Sequence, residues 1–312
     1  MELCDSVGMF FRLRSEATIR DTVEFVGVGV HSGRQTNMRV LPATEGHGII
    51  FKRTDVKSNR AIIKLSPNAI VDPTLCTRVV NNDGISVAVV EHLLAAFRIC
   101  GITNAIVEVD TDEIPIMDGS ALEFVNSFKD VGIVYQDAYI PAIIITEPVS
   151  ISYKSTHIMI SPADESSVSL KLSYDRINPV IGNNNSYSFY LDENLTKLAS
   201  ARTFGWIADY EKVRAMGLAK GTSEENTIAI AMDNTILNKG GLRDPRELVM
   251  HKCLDLLGDI SVIGLDIIGK IEGVNPSHAT NNMLVRKLIS ELNKHEVVYP
   301  ESRTSEFLCK IA

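Results

Sequence analysis

The chain has 312 residues, 45% of them hydrophobic and 22% charged, the balance of a folded protein long enough for two domains. A net charge of −8 argues against a general nucleic-acid binder, which would carry a basic face, and leaves recognition of an anionic small substrate to local Lys or Arg. No apolar run approaches the roughly 18–20 residues that cross a bilayer, the opening "MELCDSVGMFFRLRSE" lacks a signal peptide's apolar core, and five scattered cysteines form neither a disulfide framework nor a cysteine-rich zinc site, so a cytoplasmic protein is expected, any metal in it held by His and carboxylates.

Strand-like segments come first. "TVEFVGVGVHSG", "TNMRVLPA", "GIIFKR" and "AIIKLS" alternate or run apolar between Gly, Pro and Asn breaks. "TRVVNNDGISVAVV" reads as a hairpin turning at "NNDG". From "VVEHLLAAFRICG" the period becomes that of a helix ending near Gly101, and the strand "NAIVEVD" and a helix in "DGSALEFVNSFKDVG" complete one mixed domain. Periodic order lapses around "GIVYQDAYIPA", which divides the chain into domains 1–136 and 137–312. New strands begin in "AIIITEPVSISY", "THIMISPAD" and "SVSLKLSYD", and helices are expected near 191–200, 206–216, 244–260 and 278–294, interleaved with "NTIAIAM" and "DIIGKIEG". The second half repeats the class of the first, antiparallel sheet plus helices, without repeating its sequence. Two packed α+β domains are the architecture this predicts.

The helix in "RDPRELVMHKCLDLLGD" is the most informative segment. Asp244 is placed to cap it, Pro245 suits the first helical position, and Glu247 can complete a capping box. Val249, Cys253, Leu256, Leu257 and Ile260 fall on one face, and His251, Lys252, Asp255 and Asp259 on the other. A solvated polar face is the plain alternative. Against it, carboxylates four residues apart repel, and a negative charge near a helix C-terminus opposes the helix dipole, so something cationic should sit there. A His and an Asp at i and i+4 can bind one metal ion, and an Asp one turn further can orient another catalytic group.

The seven histidines allow elimination. His47 and His295 lie in polar stretches and His157 at a strand edge, and these three are read as structural or solvated. Glu91 and His92 stand together where "VVEHLLAAF" opens an apolar helix, although on these residues alone a polar helix start is the better reading. His278 starts the last helix after the breaker run "EGVNPSH", 27 residues beyond His251, with room for a strand to bring it back over Asp255 and Asp259. H-E-x-x-H is absent. Two His, one Asp and an open position suit a hydrolytic zinc ion, which lowers the pKa of water and polarises a carbonyl.

These residues resemble a specific family, the zinc-dependent UDP-3-O-acyl-N-acetylglucosamine deacetylases of bacterial lipid A synthesis. The resemblance runs in order through "GVGVHSG", "VVEHLLAAF", "EIPIMDGSA", "ARTFGW", "LNKGGLR", "HKCLDLLGD" and "PSHATNN", over nearly the whole chain. It implies zinc on His92, His251 and Asp255, with Fe2+ an alternative that borderline N/O ligands accept. It implies Glu91 as general base, His278 as charged general acid, Asp259 as its carboxylate partner and Thr203 as an oxyanion-holding hydroxyl. Lys252 would meet the substrate diphosphate, and Phe204 and Trp206 would lie around the substrate. The family's two domains, each a small, mainly antiparallel sheet layered with helices, hold the active site between them. The implied partner is the acylated nucleotide sugar, with no nucleic acid, no transmembrane segment and a monomeric state; the place is the cytoplasm, with peripheral contact to the inner membrane open. Three departures stand out: Thr222 where the family has Gly, "PSH" where it has "SGH", and a start longer by about a dozen residues. A zinc amidohydrolase for another acylated sugar and a catalytically silent binding protein are the competing readings, the second opposed by the presence of Glu91, His92, His251, Asp255 and His278.

Overall fold

A computed structural model describes residues 3–6, 9–57, 59–71 and 75–300. In the first half, strands β1 (Val23–Val28), β2 (Gln35–Pro42), β3 (Ile49–Arg53), β4 (Ile62–Lys64) and β5 (Ala105–Val109) form a sheet ordered β1-β2-β5-β3-β4. Their alternation sets which face is buried: Thr36, Met38 and Val40 point inward from β2, and Ala105, Val107 and Val109 from β5. β5 runs parallel to β3, with Val107 opposite Phe51, and antiparallel to β2, with Val107 opposite Val40.

The second half has β6 (Val149–Tyr153), β7 (Thr156–Ser161), β8 (Ser167–Lys171), β9 (Ser186–Tyr190) and β10 (Lys270–Val274), ordered β6-β7-β10-β8-β9. Its fifth strand again runs parallel to the third and antiparallel to the second. The two halves are therefore one topology used twice, a likeness that their sequences conceal. The α+β class and mainly antiparallel pairing are as the patterning predicts.

Helices α1 (Glu91–Cys100), α2 (Leu122–Val131), α3 (Ile207–Ala215), α4 (Glu247–Ile260) and α5 (His278–Ser290) complete the frame. α1 packs against α4, and one apolar cluster runs through both halves, from Phe51, Leu93 and Phe128 to Leu170, Leu256 and Leu284. Gly258 is what lets the two helices meet. A Cβ there would stand 2.0 Å from the backbone oxygen of Glu91, and the obstacle is main chain, which cannot rotate away. Gly258→Ala is expected to destabilise the fold by roughly 1–3 kcal/mol or more, as overpacking does, and to push the Glu91–His92 turn out of place; thermal unfolding and metal content measured on one preparation check both.

Some expectations are corrected. Ile133–Tyr139, read as a lapse of order, is a strand antiparallel to Ser15–Ile19 with a register shift between Tyr135 and Tyr139. Only Thr196–Ala199 is helical within 191–200, and the last helix ends at Ser290, followed by a 3-10 turn over Leu292–Lys294. α4 starts at Glu247, not at Pro245. The Asp244 side chain accepts from the Arg246 amide instead of capping the helix proper. Glu247 is diverted as well: its carboxylate accepts from the amides of Arg202 and Arg243 and from the Arg202 guanidinium. His295, read as structural or solvated, is buried. The longer start contains an antiparallel pair, Leu3–Ser6 with Met9–Arg12. Cys76, Cys100 and Cys253 are free, buried thiols, in line with the absence of a disulfide framework, and Cys309 lies outside the described residues.

Candidate functional site

The polar face of α4 is not solvated. His251, Asp255 and Asp259 are all buried, because α1 and α5 cover them. The first turn of α1 arrives opposite through Val89, whose φ of +60° is rare for a β-branched residue and turns the chain from the strand Ser86–Ala88 into the helix. Glu91 and His92 are buried with it.

His92, His251 and Asp255 converge. Their ligand atoms lie within 4.8 Å of one another, with Asp255 Oδ1 at 3.2 Å from His251 Nε2 and 3.6 Å from His92 Nε2. Ligands about 2.0–2.2 Å from a tetrahedral ion stand roughly 3.3–3.6 Å apart, close to both separations from Asp255 Oδ1. Two further observations agree. Asp255 Oδ1 is buried with no hydrogen-bond partner among the described residues, and His251 Nδ1 sits 3.0 Å from the Ala201 carbonyl, to which it donates when Nε2 is left with its lone pair outward. Burial holds the His251 imidazole neutral, its pKa pushed down to about 3. Burial would raise the Asp255 carboxyl, but His251, Lys252 and His278 hold it well below the usual carboxylate range. Among the described residues, this cluster can hold a divalent metal ion.

Beside it stands an acid–base group. His278 Nδ1 lies 2.9 Å from Asp259 Oδ2, and His278 Nε2 lies 3.6 Å from Glu91 Oε1 and 3.9 Å from Asp255 Oδ2. Burial would lower the His278 pKa, but the carboxylates of Asp259, Glu91 and Asp255 outweigh it and push it up to about 10. Burial raises Glu91, with His278 and His92 acting in the opposite sense. One carboxyl is thus poised to take a proton and one imidazolium to give one.

Of the remaining expected residues, Lys252 donates to Asp255 Oδ2 at 2.9 Å and stands 5.6 Å from the Phe204 ring centroid. Phe204 also faces the His251 ring at 6.2 Å and the Trp206 ring at 5.7 Å, and the Arg176 guanidinium covers Trp206 at 4.7 Å. Thr203 follows Ala201 by two residues, its amide bonded to the Gly119 carbonyl and its own carbonyl to Ile228. The buried pair Arg202–Glu247 fixes this segment on the first turn of α4. "PSH" is a well-formed helix start: Ser277 caps α5 in a reciprocal capping box with Thr280.

Two residues with no sequence signal complete the cluster. Asn281 donates to Asp259 Oδ2 at 2.8 Å from one turn beyond His278. Thr77 joins both functional carboxylates: its hydroxyl donates to Asp259 Oδ1, and its amide to Glu91 Oε2 at 3.0 Å. Thr77→Val should strip a donor from a buried carboxylate, a cost of about 1–3 kcal/mol. We expect kcat to fall about tenfold, with metal content kept and activity restored in Thr77→Ser; steady-state kinetics of the pair, with metal analysis, decide it.

Known proteins match the chain over the stretch that holds these residues. The profile of the UDP-3-O-acyl N-acetylglycosamine deacetylase family matches residues 16–290. The UDP-3-O-acyl-N-acetylglucosamine deacetylase of Syntrophus aciditrophicus is 39% identical over 277 residues, 88% of this chain and 86% of that protein. Those of Phenylobacterium zucineum, 41% identical over 273 residues (87% of this chain, 92% of that one), and of Neisseria meningitidis serogroup A, 37% over 288 (91% and 92%), are similarly related. The chain belongs to the UDP-3-O-acyl N-acetylglycosamine deacetylase family.

Proposed function

We propose that this protein hydrolyses the acetamide of UDP-3-O-acyl-N-acetylglucosamine, releasing acetate and the free amine, the committed step of lipid A biosynthesis. The observation that carries the reading is one buried cluster in which a His92–His251–Asp255 metal set adjoins the Glu91 and His278–Asp259 acid–base pair. Zinc suits this set best; it would polarise the scissile carbonyl and lower the pKa of water. Glu91 removes a proton from the attacking water, and His278, kept cationic by Asp259, protonates the departing amine nitrogen. The Thr203 hydroxyl supports the developing oxyanion, Lys252 meets the diphosphate, and Phe204 and Trp206 border the sugar and acyl chain. The site would lie between domains 1–136 and 137–312 of a cytoplasmic monomer; no helix among the described residues is long and apolar enough to cross a membrane.

The test is acetate release by purified, metal-analysed protein given the nucleotide sugar with and without its 3-O-acyl chain. Turnover of the acylated form alone supports the proposal. Turnover of neither, by protein carrying a full equivalent of zinc, would overturn it, and a preference for another acylated sugar would favour a different amidohydrolase on the same fold.

A further inference from the structure

A cavity of about 700 Å³ lies away from the metal cluster, at the other end of α1 and between the two halves. Ile49, Leu65, Leu94, Phe97, Ile263 and Ile267 give it apolar walls, and its volume falls within the roughly 300–1,000 Å³ of small-molecule sites. Its polar side is built across the halves. Arg14 grips Asp266 with Nε and Nη2, at 2.7 and 2.8 Å, and Arg98, in the last turn of α1, donates to the same carboxylate. One carboxylate therefore serves two guanidinium groups. Each guanidinium has five N–H donors, and those not aimed at Asp266 have no partner among the described residues. With Lys64 at the rim and Glu16 as the only other carboxylate among the described residues, their lining carries one positive charge in excess in a chain of net charge −8.

We propose that this cavity binds a small anionic amphiphile, its single carboxylate or phosphate head on Arg14 and Arg98 and its alkyl chain between α1 and the segment after α4. Apolar walls hold the chain without direction, and the spare guanidinium donors fix the head by paired charge-assisted bonds. The site is separate from the deacetylation chemistry proposed above, and its occupant would touch both halves and the helix that carries Glu91 and His92.

Isothermal titration of the metal-loaded protein with dodecanoate and with dodecyl phosphate, below micelle-forming concentrations, tests this, with dodecanol and inorganic phosphate as single-feature controls. One saturable equivalent of at least one of the two amphiphiles is expected, and whichever binds more tightly identifies the head group. Arg98→Met should weaken that binding about tenfold or more through loss of the charged bonds. Ile49→Trp, which fills the cavity, should abolish it, with kcat/KM for deacetylation within about twofold of wild type; Ser66→Trp at the rim replaces Ile49→Trp if the latter does not fold. No saturable binding of either amphiphile, equal binding of dodecanol, or affinities unmoved by these variants, which would place the amphiphile elsewhere, overturns the proposal.

Discussion

Glu91→Ala is expected to retain a full equivalent of metal while losing turnover by a factor on the order of 10²–10⁴, the range found when a general base is removed. The division follows from geometry. The candidate metal set is His92, His251 and Asp255, and Glu91 points elsewhere: Oε2 is held by the Thr77 amide at 3.0 Å, and Oε1 faces His278 Nε2 at 3.6 Å. Its removal should leave the three ligands in place, since His251 is held by the Ala201 carbonyl and Asp255 by Lys252. Burial lifts the Glu91 carboxyl above its ordinary range, so activity should climb as pH rises through that raised value, the ionised form being the one that accepts a proton. His251→Ala should behave differently, with metal and turnover lost together. Metal analysis beside single-turnover rates separates the cases, and a Glu91→Ala protein that purifies metal-free would reject this assignment.

The residues that could be read from sequence are those with a local pattern. His251, Asp255 and Asp259 share a helix whose period is unmistakable, and two acidic groups one turn apart near its end ask for a cation. The "NNDG" hairpin, the helix closed by Gly101 and most strands were equally legible, because turn residues and alternation are local. What escaped is held by contacts between distant segments. Thr77 and Asp259 are 182 residues apart, and nothing around a lone Thr before a strand marks it as a partner of two carboxylates. Glu247 has the sequence of a capping box, but Arg202, 45 residues earlier, offers a charged partner in a buried place, and that interaction wins. The strand Ile133–Tyr139 gave no signal because most of its residues are exposed or half-exposed on both faces and its register shifts. Gly258 is legible only as a helix-weakening residue until its distance to Glu91 is known.

Asp259→Asn should move the basic limb of the rate profile to lower pH and, near pH 8, reduce turnover while leaving metal content unchanged. As the proposed general acid, His278 has to be protonated to donate to the leaving nitrogen, so activity is expected below its folded pKa and should be lost as pH rises through it. That pKa is pushed up to about 10 because three carboxylates outweigh the effect of burial, and Asp259 is the foremost of them, through both its charge and its 2.9 Å bond to Nδ1. The Asn side chain can keep a hydrogen bond but not the charge, so the imidazolium loses its strongest support and deprotonates earlier. A divalent ion at Asp255 would lower His278 in both proteins alike, which makes the shift between them the quantity to measure. The same substitution has a stability consequence of definite sign. A His raised above its unfolded value of about 6.5 stabilises the fold fully below that pH and loses the contribution as pH climbs towards the folded value. The stability gap between wild type and Asp259→Asn should therefore be widest in mildly acidic solution and close towards pH 10. Thr77 and Asn281, which also bond Asp259, should hold the Asn side chain in the same place, so that the change acts through charge rather than position. Rate profiles and denaturant unfolding across that pH range are the measurements, and a basic limb that stays where it is in wild type would mean that Asp259 does not set the protonation of the acid.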